Sequence, residues 1–469
     1  MRYFLLQLFL FVLLPVTADA QCSRFPPANS TAFNAGTNSI TLPWRIDYPA
    51  SVTPQTHAWE SVGDLAQNWQ GYMAAVIGEV KAAGLTLANK KINLPPGAPW
   101  WIAPWMDFGA SGREPLQGLT KERGPDPNDL APGSSRGHQV WAIGWYNAEG
   151  AFGLGKVFAD PCNPKIPAPS GGAPWTFPNK TASFKLLFTD APPSAIPYLA
   201  GSPVVEAMIG PPGGGSGARV KREVRLLQVD ISVRDTNATD TQWVMGTFVW
   251  KGPATGDGFF DNLVPVGLMW GNDPGKENPV WAQFAPIQES RLNPALAGLV
   301  WQGGGVTWPQ RPYPGFQGRL NGPADNLRSS CLSCHALAQW RRHKVLELTP
   351  TYKLDPPPTP SQVTKVVADY FRNVRGGTLT DPTADPTTTS ISLDYSLQLE
   401  AGFTRMCAAC NQGKLAGATP DLCKMAGRGQ INRDTCEQST IPHLISAARR
   451  AVTGLFSSSA DEVDLPPRQ

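Results

Sequence analysis

The chain has 469 residues, a formal charge of +3 and only 16% charged residues, a length that suits two or three domains with full cores. A chain this close to neutral carries no basic footprint for nucleic acid or for an anionic membrane surface. The 47 Pro, 46 Gly and 16 Trp point to many turns and a β-rich fold loaded with aromatic side chains.

At the N-terminus, Arg2 precedes an apolar stretch from Phe4 to Leu14, and Ala18-Asp19-Ala20 forms a small-x-small cleavage site before Gln21. The pattern predicts a cleavable secretory signal over 1–20 and a mature chain that is periplasmic or secreted. The apolar run falls short of the roughly 20 residues a bilayer span requires, and no later stretch reaches that length. An exported chain can also form disulfides.

Residues 21–136 are expected to hold one long helix and an aromatic loop. From His57 to Ala83 the apolar residues Trp59, Val62, Leu65, Trp69, Met73, Val76 and Val80 recur at helical spacing, with Gly84 as the stop. His57 reads as a surface or capping residue rather than a ligand. Prolines break the stretch from Pro95 to Met106, so Trp100, Trp101 and Trp105 are expected on an ordered loop packed over the core.

Residues 137–310 read as a β-rich domain, an antiparallel sandwich or open barrel. Val140 to Tyr146, Phe184 to Phe188, Trp243 to Trp250 and Leu263 to Trp270 are apolar or aromatic runs bounded by turn residues. Leu227, Val229, Ile231 and Val233 alternate with Gln228, Asp230, Ser232 and Arg234, the mark of a half-buried strand. His138 is a candidate acid/base group for a substrate site.

The chemistry concentrates at Cys331-Leu332-Ser333-Cys334-His335, the C-x-x-C-H pattern of covalent haem attachment. On a helix the two thiols and the imidazole share one face, so one short segment can make two thioethers to the porphyrin edge and one bond to iron. With 8 Cys and 5 His in the chain, chance gives on the order of 0.001 such matches. Ser329 or Ser330 is placed to cap the helix. Arg319 and Arg328 are candidates to grip haem propionates.

Downstream, helices are expected from Ser361, from Ser392 (with Tyr395, Leu399, Gly402, Phe403 and Met406) and from Pro442 to Phe456. A helix bearing C-x-x-C-H, a middle helix, a methionine loop and a terminal helix, in that order, resemble a small class I c-type cytochrome. The resemblance implies an all-α haem domain over 311–460 behind the β-rich region, with a tail at 461–469: an α+β multidomain protein. It implies thioethers at Cys331 and Cys334, axial ligation by His335, and a second axial ligand at Met425, with Met406, Met106 and His443 as the other donors. The passage Gly318-Arg319-Leu320-Asn321-Gly322-Pro323 before the motif is also similar to exported bacterial monohaem proteins with a β-rich region ahead of the haem.

Six cysteines remain outside the motif: Cys22, Cys162, Cys407, Cys410, Cys423 and Cys436. Disulfides account for them better than a four-cysteine zinc site in an oxidising compartment. The expected function is electron transfer through one covalent haem c to a redox partner protein. The alternatives are a haem-dependent peroxidase or dehydrogenase with its small-molecule substrate site in the N-terminal region, and an exported binding module without haem.

Overall fold

In the computed structural model the described residues run from 45 to 424, without 54, 106–107, 110–111, 114–118, 123, 126–128, 132–133, 135–136, 162, 168–173, 210–219, 257, 275–286, 297–314, 327–328, 342–369, 380–389 and 412–419. The leader, the helices expected from Ser361 and over 442–456, and Arg328, Met425, Met106 and His443 lie outside them.

The first helix, α1 (Leu65–Ala82), starts later than the periodicity suggests. Gly63, with φ +78°, breaks the run, and the Asp64 carboxylate caps the helix by accepting from Ala66 N and Gln67 N. His57 to Ser61 instead form a short 3-10 turn. The hairpin β1 (Thr86–Ala88) and β2 (Lys91–Asn93) follows. Then come β3 (Trp101–Ile102), the small hairpin β4 (Phe108–Gly109) and β5 (Gly112–Arg113), and β6 (Thr120–Lys121).

Three of the expected strands appear as β7 (Val140–Tyr146), β8 (Ala182–Thr189) and β11 (Trp243–Trp250), and the other two fall in β10 and β12, whose ranges follow. Between the first two lies α2 (Ala148–Val157), which the strand-like reading of 138–200 missed. β9 (Val204–Ile209) and a 15-residue β10 (Val220–Arg234) precede β11, and β12 (Leu263–Met269) and β13 (Ser290–Leu292) follow it. All pair antiparallel in a single nine-stranded sheet of order β13-β12-β11-β10-β8-β7-β3, with β6 beside β7 and β9 beside β10. One sheet replaces the expected sandwich or barrel.

Register shows how the two faces divide. Trp145, Phe184, Ile231 and Gly246 lie in one cross-strand row. Trp145 stacks on Phe184 at 4.8 Å, and Trp100 meets the same ring edge-on. The Met73 methyl of α1 approaches to 3.1 Å of where a Cβ on Gly246 would stand, so that glycine makes room for the helix. The next row, on the opposite face, is Gly144, Lys185, Asp230 and Thr247.

The second face is covered by the end of the chain. α3 (Cys331–Ala336) contacts β11 and leads into β14 (Gln339–Arg341), which pairs with β15 (Ser390–Ser392). α4 (Leu397–Asn411) and a one-turn α5 (Asp421–Lys424) complete the layer. This corrects the fold class: the described residues form a β-sheet protein carrying five α-helices, and no all-α haem domain is present among them. The motif helix ends at Ala336 and turns into a strand, and the expected helix from Ser392 begins only at Leu397. Leu332, Ala336, Leu399, Phe403 and Met406 share one continuous core cluster with the strands and α1; Phe403 packs on Phe158 at the end of α2 and on Trp340 of β14.

Candidate functional site

The motif is held from both ends. Its N-cap is Ser330, whose Oγ accepts from Ser333 N at 3.0 Å. The same hydroxyl donates to Asn272 Oδ1 at 2.6 Å, and Ser333 Oγ donates to that oxygen at 3.0 Å. Asn272, just beyond β12, thus fixes the first turn of α3. The approach to the motif is fastened by Gln228 of β10, which is fully buried. Its amide donates to Asp230 and Asp325 at 2.7 and 3.0 Å, and its oxygen accepts from Ala324 N at 3.2 Å. A Cβ on Gly322 would lie 2.1 Å from this amide, so only glycine lets the turn close over Gln228.

Both motif cysteines are half-buried and neither is in a disulfide. The Cys331 thiol donates to Asn321 Oδ1 at 3.5 Å. Burial first, then the charges of Asp325 and Asp230, push this thiol well above its usual range, so it stays protonated. Cys334 Sγ lies 2.9 Å from Ser329 Oγ and 3.5 Å from the Tyr370 hydroxyl.

His335 Nδ1 sits 2.9 Å from the carbonyl oxygen of Tyr395. A carbonyl can only accept, so Nδ1 carries the proton and Nε2 keeps its lone pair. Burial, then the nearby positive Lys185, lowers the ring's pKa to about 4. The imidazole is therefore neutral at physiological pH, the form that ligates metals. Among the described residues no hydrogen-bond partner reaches Nε2.

Cys331, Cys334 and His335 line one cavity between the polar face of the sheet and the layer of α3 and α4. Its enclosed volume is about 140 Å³, below the roughly 300–1,000 Å³ of pockets that take drug-sized ligands. Lys185, Asp230, Thr247 and Met245 form its floor, and Gln398, Glu400 and Arg405 of α4 face them. Lys185 Nζ is 3.6 Å from Asp230 Oδ2, and Thr247 Oγ1 donates to Asp230 Oδ1 at 3.0 Å. The thiol pair and the imidazole with its fixed lone pair are the donor set that covalent haem attachment requires.

Other expected residues lie elsewhere. Arg319 is fully buried and away from the cavity lining: its guanidinium donates to the carbonyls of Asn272, Asp273 and Phe316 and lies 4.5 Å over the Phe371 ring. It anchors the approach to the motif. Met406 is buried in the core on α4 and does not line the cavity. His138 pairs with Asp190 at 3.7 Å, again off the cavity. Trp100, Trp101 and Trp105 are buried as expected for a loop packed on the core.

His57 is a capping residue, as expected, at the N-cap of the 3-10 turn with its N–H donating to Glu60 Oε1 at 2.6 Å, but it is not on the surface. It is buried between Glu79 at 2.9 Å and Glu149 at 3.2 Å and stacks on Trp59. Burial lowers its pKa, but the hydrogen bonds to Glu149 and Glu79 outweigh that and raise it to about 9.

Cys407 is bonded to Cys423, which removes two thiolates from the four-cysteine zinc alternative. Among the described residues no group of three or more His, Cys, Asp or Glu side chains is placed to hold a metal ion, and no helix is long and apolar enough to cross a membrane.

Lys185, Asp230, Thr247, Met245, Asn272 and Tyr395 are the site residues that sequence reasoning missed. The one signal for them was the polar half of the β10 alternation, read as an exposed strand face. No protein-family model matches the chain, and neither a curated protein nor a solved structure matches it significantly.

Proposed function

We propose that this chain is an exported electron-transfer protein with one haem c, held in the cavity by Cys331, Cys334 and His335. The observation that carries the reading is the His335 Nδ1–H bond to the Tyr395 carbonyl beside two unjoined thiols. It leaves Nε2 as a lone pair of fixed direction, and such an outer partner is what orients a ligating histidine. The protonated Cys331 thiol suits attachment, since a thiol S–H would add across a vinyl group to give a thioether with no other product. When bound, the haem supplies an Fe(III)/Fe(II) couple.

The residues around it hold it in a one-sided, partly dry site. Ser330 and Asn272 fix the attachment turn, and Gln228 clamps its approach to the sheet. Met245 brings a thioether into the same cavity and would be a further donor available to the group. Signal-directed export to the periplasm belongs to the same proposal, because covalent attachment in bacteria is completed there. The deep acid/base groups on the floor favour, as a second reading, a haem-dependent oxidoreductase whose substrate enters this cavity.

The test is to produce the chain with haem-maturation machinery and record oxidised and reduced spectra with a pyridine haemochrome assay. One covalent haem per chain is expected, lost in Cys331→Ala/Cys334→Ala and altered in axial ligation in His335→Ala. A colourless protein under these conditions overturns the proposal and leaves an exported binding module.

A further inference from the structure

The carbonyl that orients His335 belongs to an unusual turn. Between β15 and α4 two successive residues other than glycine hold left-handed backbone, Asp394 at φ +48° and Tyr395 at φ +66°. Aspartate tolerates this region, but a bulky tyrosine does not enter it freely. A residue persists there only where its surroundings over-determine it, and such positions gather at functional sites.

The Asp394 side chain, which supplies much of that constraint, is fully buried. Its Oδ2 accepts from Phe177 N at 2.6 Å and its Oδ1 from the Trp243 indole N–H at 3.0 Å, with Arg234 Nε 3.6 Å away. These partners come from the segment before β8, the start of β11 and the end of β10, so one carboxylate ties the turn to the sheet. The Tyr395 hydroxyl donates to the Val374 carbonyl. The Tyr395 carbonyl emerges from the turn and accepts from Leu397 N at 3.2 Å and from His335 Nδ1 at 2.9 Å.

We propose that Asp394 is a positioning residue for His335: by holding the left-handed turn on the sheet, it keeps the Tyr395 carbonyl aimed at Nδ1 and the lone pair on Nε2. Its carboxylate bonds to Phe177 and Trp243 and not to the imidazole, so it acts through the backbone of the next residue. This assignment rests on the haem reading above for the use of the lone pair, while the geometry involves this chain's own atoms alone.

A neutral imidazole carries its proton on whichever nitrogen its surroundings favour. Without the carboxylate, Tyr395 relaxes toward negative φ, the peptide plane bearing its carbonyl turns with it, and Nδ1 loses its acceptor. Asparagine at this position keeps the shape of the side chain but presents an amide NH2 where an N–H donor points. It therefore breaks the hold without opening a cavity.

The experiment is 15N NMR of the full chain produced without haem, at about pH 7, where the His335 ring is neutral. Histidine is labelled at both ring nitrogens, and His335→Gln assigns the signals. The Nδ1–H tautomer is expected to dominate in the unaltered chain. In Asp394→Asn the ratio of Nδ1–H to Nε2–H is expected to fall by about two- to tenfold, the equivalent of one hydrogen bond. Trp243→Phe, which removes one N–H donor to the carboxylate, lowers the ratio by less and decides the matter should Asp394→Asn fail to fold. Ser396→Ala removes the hydroxyl that accepts from Leu399 N and meets Tyr146, which loosens the same turn without touching the carboxylate, and it should leave the ratio unchanged. A ratio unmoved in folded Asp394→Asn, or in Trp243→Phe where that variant decides, overturns this assignment alone, as does a ratio that falls as far in Ser396→Ala. A chain that takes up no haem in the presence of maturation machinery overturns the functional reading, whatever the tautomer.

Discussion

The two faces of the sheet differ by one residue of register. On one, Trp145, Phe184 and Ile231 lie in a row with Gly246, which Met73 of α1 approaches; on the other, Lys185, Asp230 and Thr247 line the cavity. Successive side chains of a strand point to opposite faces, so the strands that give the fold its apolar core also carry the polar floor of the site. The difference teaches where stability and function reside: the first face responds to lost volume, the second to lost charge and hydrogen bonds.

The largest effect should come from the apolar face. Phe184 is 1% exposed and touches both Trp145 and Trp100. Phe184→Ala is expected to cost about 3–5 kcal/mol, read as a lower denaturation midpoint, while the folded fraction keeps its haem stoichiometry. Loss of haem without loss of stability would break the division between the faces.

Gly322→Ala sharpens the other side. The added methyl would strike the buried Gln228 amide, and displacing a well-bonded side chain costs about 1–3 kcal/mol. Because Gln228 fastens the turn before α3, haem content per folded chain should fall as well, which absorbance measured against protein concentration will show. Unchanged haem content would mean that the motif does not depend on this clamp.

The smallest effect is expected away from both faces, at His57. Its folded pKa of about 9 lies above the unfolded value near 6.5. Its contribution is therefore complete below about pH 6.5 and is lost as pH rises through about 9. His57→Gln should cost about 1–2 kcal/mol at pH 6, discounted for the 29% exposure of Glu79, and little at pH 10. Denaturation midpoints of both proteins at the two pH values decide the matter, since a gap that widens with pH contradicts the assigned charge.

Much of this was legible in the residues. β7 and β11 lie where their apolar runs predict them, and Ser330 caps the motif helix as its position suggests. The expected all-α haem domain was not borne out, because amphipathic helix patterns near the C-terminus report only that one side is buried. They do not say whether a helix or a sheet buries it. Arg319, expected at a propionate, proved to be a buried anchor, since a fully paired arginine and a ligand-binding one have the same local sequence.

By itself the sequence determined the five contiguous residues of the C-x-x-C-H motif and the alternation that gives each strand two unlike faces. Tertiary structure alone decided that the polar face of β10 is the floor of a cavity and that His335 is oriented by a carbonyl 60 residues away. The reason is physical. Local pattern sets which way a side chain points, but what it meets there depends on chain segments brought together by burial of the opposite face.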